Sequence, residues 1–180
     1  MNRYIEQHIR FQKRSFTKRG RAIQIVTFPV LFIGFLLFAP GWWGHQQASI
    51  PMGLDGPTRW CLGVTVTTLG AMLYLWTIAL FARAHGTQVP IAPTQQLVTS
   101  GPYAVSRNPM LTSAIMMVCG IAVGLDSWTF MAGGFVIPTV YLVYIKAVEE
   151  RELLARFGEE YAAYRGSTPF IVPRLRARRL

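Results

Sequence analysis

Two stretches of this chain, Ala22 to Ala39 and Trp60 to Ala82, contain no charged residue, and that absence limits the possible folds more than any motif does. A helix rises about 1.5 Å per residue, so each stretch crosses most or all of a hydrocarbon core about 30 Å thick. A third stretch, Leu111 to Val148, carries only Asp126 and Lys146. Gly124, Leu125, Asp126 and Ser127 interrupt it and predict a helical hairpin, with arms over Pro109 to Val123 and about Trp128 to Val148. The expected fold is an all-α polytopic membrane protein of about four transmembrane helices, with an ordered cytoplasmic loop and a cytoplasmic C-terminal helix extension. The first apolar run exceeds a signal-peptide core, and Pro40, Gly41, Trp42 and Trp43 after it offer no small-x-small cleavage site. Trp42, Trp43, Trp60 and Trp128 fall at span ends, where indole rings anchor at the interface.

Only 14% of the residues are charged, against about a quarter in a soluble domain. The charges crowd into 1–21 and 146–180. Arg3, Arg10, Lys13, Arg14, Lys18, Arg19 and Arg21 precede the first span, while the loop at about 40–59 holds a single basic residue, Arg59. Arg151, Arg156, Arg165, Arg174, Arg176, Arg178 and Arg179 follow Lys146. The positive-inside rule then places both termini and the 83–108 loop in the cytoplasm, and in a bacterium the membrane is the inner one. A net charge of +10 can also signal nucleic acid. Here it flanks the spans, so topology and anionic headgroups account for it and no nucleic-acid partner is expected. Residues 1–21, with Ile5, Ile9 and Phe16 among bases, form either an interfacial helix or a basic tail. Cys61 and Cys119 lie within spans, which argues against a disulfide, and no Cys/His cluster has zinc-ligand spacing, so no metal is expected. His8, His45 and His85 are read as polar interfacial residues; no phosphate loop, Rossmann fingerprint or repeat is present.

Two polar segments carry the chemistry. In 83–110, Pro90, Pro93 and Pro102 exclude a long helix, while Val89, Ile91, Leu97, Val98, Tyr103 and Val105 suit packing, which predicts an ordered loop. Asn108 and Pro109 read as the N-cap and first residue of the third span, turning free N–H groups and a partial positive charge to the cytoplasm. Arg107 adds a planar cation suited to a carboxylate, or else snorkels to headgroups from an ordinary helix start. The second segment, 148–173, continues the fourth helix, with Leu153, Leu154, Phe157, Tyr161 and Tyr164 as an apolar stripe and Glu152 to Arg156 as a surface ion pair. Glu149 and Glu150 sit at the membrane boundary, where a partner is expected: a ligand, Lys146 or a headgroup.

Together, GTQVPIAPTQQLVTSGPYAVSRNPM and EERELLARFGEEYAAYRGSTPFIVP resemble the isoprenylcysteine carboxyl methyltransferase family and its relatives, the membrane phospholipid methyltransferases. The matched features are Gly-x-Tyr followed by Arg-Asn-Pro, then paired glutamates, Phe-Gly-x-x-Tyr-x-x-Tyr and a terminal proline, across roughly 83–173. The resemblance implies a helical membrane enzyme that uses S-adenosylmethionine to methylate a lipophilic or membrane-embedded acceptor. By position, Gly101, Tyr103, Arg107, Asn108 and Pro109 belong to its cofactor or active-site region, and Glu149 and Glu150 match its functional glutamates. Tyr161 and Tyr164 match its C-terminal aromatics, and 88–98, with Gln88, Val89, Pro90 and Leu97, walls the cofactor pocket. Arg107, Glu149 and Glu150 are the catalytic candidates. Chain organisation on this reading is a basic segment at 1–21, two spans over 22–82, the methyltransferase-like region at 83–173 and a basic tail at 174–180. Leu111 stands where the family is usually aromatic and Ser113 where it usually has glycine, which bears on the acceptor pocket. The competing readings are a nicotinamide-dependent membrane reductase related to sterol reductases, and a catalytically silent membrane scaffold.

Overall fold

The computed structural model describes residues 38–83 and 96–171. The expectations for 1–21, for nearly all of the first span, for Gln88, Val89 and Pro90, and for 174–180 lie outside the described residues. Every described element is helical and none is a strand. In chain order they are α1 (Phe38–Gln47), α2 (Gly56–Arg83), a 3-10 turn (Gly101–Ala104), α3 (Pro109–Gly124), α4 (Trp128–Tyr144), a π turn (Ile145–Glu149), α5 (Glu150–Phe157) and α6 (Glu159–Ser167).

The termini of these helices have local causes. Asp55 stops the extended segment before α2 by accepting the Thr58 N–H at 2.9 Å. Ser127 caps α4 through Phe130 N–H at 3.0 Å, and its Oγ also lies 2.9 Å from His45 Nδ1. Between α3 and α4, Asp126 adopts φ 52, a left-handed conformation that aspartate tolerates better than most residues. Its carboxylate accepts the N–H groups of Met52 at 3.0 Å and Leu54 at 3.4 Å, tying the α1–α2 connection to the hairpin tip.

Glycine lets the helices meet backbone to backbone. A Cβ on Gly63 would stand 2.8 Å from the Gly120 carbonyl oxygen, and one on Gly70 2.9 Å from that of Ser113. The resulting seam joins α2 to α3, as small residues do in membrane helix pairs. The same device corrects the expected loop at about 40–59, whose first part is α1. Pro40 and Gly41 do not break that helix; a Cβ on Gly41 would lie 2.8 Å from the Phe130 carbonyl oxygen, so the residue packs α1 on α4.

Among the described residues, two helices, Gly56–Arg83 and the continuous run Trp128–Phe157, are long and apolar enough to cross a membrane. Fewer than one residue in five of their apolar windows is buried, whereas the core helix of a soluble protein would be mostly buried. Trp60, Leu69, Met72, Leu75 and Trp76 on α2, and Val136, Val140 and Val143 on α4, face outward. α3 is apolar but shorter, about 24 Å by its rise.

The C-terminal extension is two helices rather than the single one expected. Gly158 closes α5 by donating to the Leu154 carbonyl at 2.9 Å and turns the chain with φ 54 and ψ −126, a combination open in practice only to glycine. A Cβ there would meet nothing within 4 Å, so the constraint is purely conformational. Gly158→Ala is expected to destabilise the fold by about 1–3 kcal/mol, measured by SDS-titration unfolding in detergent; an unchanged midpoint would contradict this account of the α5–α6 corner.

Candidate active site

The polar side chains converge where the start of α3 meets the end of the long α4–α5 run. Arg107 immediately precedes the Asn108–Pro109 helix start, and its Nη1 forms an ion pair with Glu150 Oε1. Both side chains are largely enclosed, 14% and 16% exposed, so water does little to screen them. The partner of Glu150 is therefore Arg107. Lys146, the sequence neighbour, instead holds its Nζ 5.2 Å from the Phe170 ring centroid. Arg107 lies over the same ring at 5.3 Å, so one aromatic ring is shared by two cations.

The π turn makes this possible. Glu150 donates its N–H to Ile145, five residues back, rather than to residue 146. The additional residue in that turn changes the direction in which Glu149 and Glu150 leave the helix. Glu150 meets Arg107, while Glu149 stays within electrostatic reach of Glu150 and Glu152 and, among the described residues, joins no ion pair. The expected pair Glu152–Arg156 is present at 3.8 Å, but its side chains are largely enclosed, 12% and 17% exposed, not on the surface.

Asn108 occupies the N-cap position, but its side chain does not cap α3. Its Nδ2 donates to the Phe170 carbonyl at 3.0 Å instead. Ser106 Oγ donates to the same oxygen at 3.4 Å, and the Arg107 N–H donates to Pro169 at 2.9 Å. These bonds strap the segment after α6 across the start of α3. Sequence reasoning missed Ser106, Pro169 and Phe170 as parts of the site. Their only signal is a proline and an aromatic residue directly after a polar helix.

The aromatic residues complete the enclosure. Gly101, at φ 60, seats the 3-10 turn on α2, where a Cβ would stand 3.1 Å from Leu80. Tyr103 is buried edge-on to Phe81 at 5.5 Å and accepts the Tyr164 hydroxyl on its carbonyl at 2.7 Å. Burial pushes the Tyr103 phenol well above its ordinary range, and the charge of Glu149 adds to that. Tyr161 is 2% exposed; burial raises its phenol, Glu150 adds to the rise and the nearby Arg107 charge opposes it. Both phenols stay neutral at physiological pH and serve as hydrogen-bonding groups, not as bases. Pro109 is buried as the first residue of α3. Leu97 is half-buried in the extended segment before the turn, and no described hydrogen bond joins it to the Arg107 group. Leu111 and Ser113 are both buried in α3, with Ser113 Oγ turned back onto the Met110 carbonyl at 2.6 Å.

Two polar atoms in this region are buried without a hydrogen-bond partner, the Nε of Arg107 and the hydroxyl of Tyr74. Buried polar groups are nearly always satisfied, so both mark places where a bound molecule can complete the bonding.

Comparison with known proteins adds a family. The profile of the phospholipid methyltransferase family matches residues 58–160, covering the α2–α3 seam, Arg107 and both glutamates. Similar curated proteins include the nickel-cobalt-cadmium resistance protein NccN of Alcaligenes xylosoxydans xylosoxydans. It is 29% identical over 116 residues, which are 63% of this chain and 48% of that protein. The cobalt-zinc-cadmium resistance protein CzcN of Cupriavidus metallidurans is 30% identical over 155 residues, 84% of this chain and 61% of that protein. The chain thus spans about half to three-fifths of the length of these relatives.

The enclosure of the Arg107–Glu150 pair has a measurable consequence. Glu150→Gln leaves the guanidinium buried without its counter-charge and is expected to cost about 3–5 kcal/mol. The double substitution Arg107→Met with Glu150→Leu is expected to recover most of that loss. SDS-titration midpoints of the two variants decide it, and equal destabilisation by both would contradict the pairing.

Proposed function

The chain belongs to the phospholipid methyltransferase family, and on that premise we propose that it transfers a methyl group from S-adenosylmethionine to a lipophilic, membrane-embedded acceptor. The observation that carries the proposal is the Arg107–Glu150 ion pair, which brings two sequence blocks from opposite ends of a helical hairpin to one place. The residues there fit the donor. The unpartnered Nε–H of Arg107 suits its carboxylate, the second oxygen of Glu150 its ammonium, and the buried aromatic faces its sulfonium. When bound, S-adenosylmethionine supplies an activated methyl group for in-line displacement: the acceptor–carbon bond forms as the carbon–sulfur bond breaks and its electron pair returns to sulfur.

The work left to the chain is alignment and exclusion of water, which together contribute several kcal/mol, on the order of 7 or more when geometry is near ideal. In this reading Arg107 orients the donor, Glu150 and the Phe170 ring hold Arg107, and Asn108 and Ser106 hold the Phe170 strap over it. An acceptor that carries a proton needs a base. Glu149 is the carboxylate available for that, because Glu150 is committed to Arg107 and the enclosed phenols stay neutral. Family membership favours this reading over a nicotinamide-dependent reductase.

Four spans with both termini cytoplasmic complete the proposal. It is supported by the uncharged run at 22–39, the two long apolar helices, the α3–α4 hairpin and the basic flanks. The relatives' metal-resistance names add a condition for the assay, so methyl transfer is best measured with and without nickel, cobalt or cadmium stress.

Calorimetry of S-adenosylmethionine with the detergent-purified chain tests the proposal. Saturable binding is expected, weakened at least tenfold by Arg107→Lys, which keeps the charge beside Glu150 but loses the planar fork. No binding at millimolar ligand by folded protein would defeat the methyltransferase reading. A reporter fused after Leu180 is expected to remain cytoplasmic, and exposure on the far side of the membrane would defeat the topology.

A further inference from the structure

The Nε of Arg107, the atom offered to the donor carboxylate, is buried without a partner, and the side chain around it is only 14% exposed. A ligand reaches that atom only after something over it moves. Glu150 belongs to the continuous run Trp128–Phe157, and α3 is joined to α2 along the glycine seam, so neither shifts without disturbing a span. The remaining cover is the strap after α6, residues 168–171, which is neither helix nor strand. Its hydrogen bonds to the start of α3 come from three consecutive residues. Arg107 N–H donates to Pro169 at 2.9 Å, while Asn108 Nδ2 and Ser106 Oγ share the Phe170 carbonyl at 3.0 and 3.4 Å. The Phe170 ring adds two cation contacts, the Arg107 guanidinium at 5.3 Å and Lys146 Nζ at 5.2 Å. Behind the strap, α6 is pinned. Tyr164 donates its hydroxyl to the Tyr103 carbonyl at 2.7 Å, and its own carbonyl accepts the Thr168 N–H at 2.9 Å. Past that last helical bond the backbone turns extended, with Thr168 at φ −108 and ψ 128. A fixed helix, an extended residue at its end and a set of side-chain contacts beyond is the construction of a lid.

We propose that residues 168–171 are the lid of the cofactor site, hinged at Thr168 and latched by Phe170, and that S-adenosylmethionine enters and its thioether product leaves when this lid lifts. The inference rests on the methyltransferase reading above, and it makes Phe170 and Ser106 positioning residues of ligand exchange, not catalytic residues. Lifting the strap uncovers the face of the Arg107 guanidinium that the ring covers, while the ion pair to Glu150 stays made. The docking group therefore keeps its orientation in the open state. The polar groups released are Ser106, Asn108 and the Arg107 amide. They lie ahead of the apolar helix α3, at the polar end of the bundle, where water replaces the lost bonds. Closure returns the strap over the donor and completes the exclusion of water. The latch holds the strap down with or without ligand, so weakening it speeds entry and exit together and leaves their ratio nearly unchanged.

Phe170→Ala, which removes the ring but keeps the carbonyl, tests the lid, with Ser106→Ala as a second variant that keeps the ring. In the ligand-free chain, hydrogen exchange of the Arg107 amide reports opening directly, because its bond to Pro169 is one that the strap must break. In wild type that amide is expected to exchange roughly tenfold faster than amides at the centre of α3, and roughly tenfold faster again in Phe170→Ala. Stopped-flow binding of S-adenosylmethionine and of S-adenosylhomocysteine to the detergent-purified chain, followed by tryptophan fluorescence, gives the two rate constants. Phe170→Ala is expected to raise association and dissociation each by about fivefold or more, with Kd within about threefold of wild type. Ser106→Ala is expected to move both rates the same way by less, and where Phe170→Ala does not fold, Ser106→Ala decides. Faster dissociation with unchanged association would make the strap a ligand contact, and a Tm lowered by several degrees in both variants would make it structural; either overturns the lid. So would an Arg107 amide as protected as the centre of α3, or rates that neither variant changes. A wild-type chain that binds neither ligand defeats the methyltransferase reading itself and the role of the lid with it.

Discussion

Arg107 and Glu150 are 43 residues apart in sequence, and their charges meet because a helical hairpin folds back on itself. Burying two charges is expensive, and an apolar pair of the same volume would often be at least as stable. What an ion pair provides that an apolar pair does not is direction. The guanidinium plane is fixed by Glu150 at Nη1 and by the Phe170 ring beneath it. Its backbone N–H is held by Pro169. The start of α3, the π turn, α6 and the strap after it are all referenced to this one side chain.

The helices are held together by a different means. Where a long apolar helix faces lipid, moving a leucine from lipid to a helix interface gains little, so close packing must supply the attraction. In α2 and α3 it does so at Gly63, Gly70 and Gly120, and in α1 and α4 at Gly41 and Gly133. Polar bonds secure the far end of the hairpin, where Asp126 holds the Met52 and Leu54 amides and Ser127 meets His45. One end of the bundle is thus fixed by backbone and short side chains, the other by a charged network.

These two kinds of contact differ in how far they can be read from residue order alone. The uncharged run from Trp60 and the interruption at Gly124 to Ser127 announce α2 and the hairpin, because length and loss of charge are local properties. The paired glutamates and the Arg-Asn-Pro step likewise announce a site. Their wiring is not local. Asn108 has the identity of a cap and the geometry of a strap holder, because the Phe170 carbonyl, 62 residues away, competes for its amide. Glycine misleads in both directions. Gly41 resembles a helix breaker and is a packing surface, whereas Gly158 sits inside a regular apolar stripe and ends a helix. Tyr74 carries no sequence signal at all, since an aromatic residue in an apolar span is ordinary until its hydroxyl is found without a partner.

The π turn at Ile145–Glu149 fixes the phase between membrane and site. An α-helix advances about 100° per residue, so one residue added to or removed from that turn swivels everything beyond it by about that angle. Glu150 would then leave the side of the bundle where Arg107 stands, while α4 kept its own contacts intact. The depth of the helix in lipid and the bearing of its glutamates are therefore coupled, because a residue gained or lost anywhere along α4 or the turn changes both. A lineage with this architecture can meet a thicker or thinner membrane by tilting its helices, whereas a codon inserted or deleted between Ile145 and Glu149 would part Glu150 from Arg107.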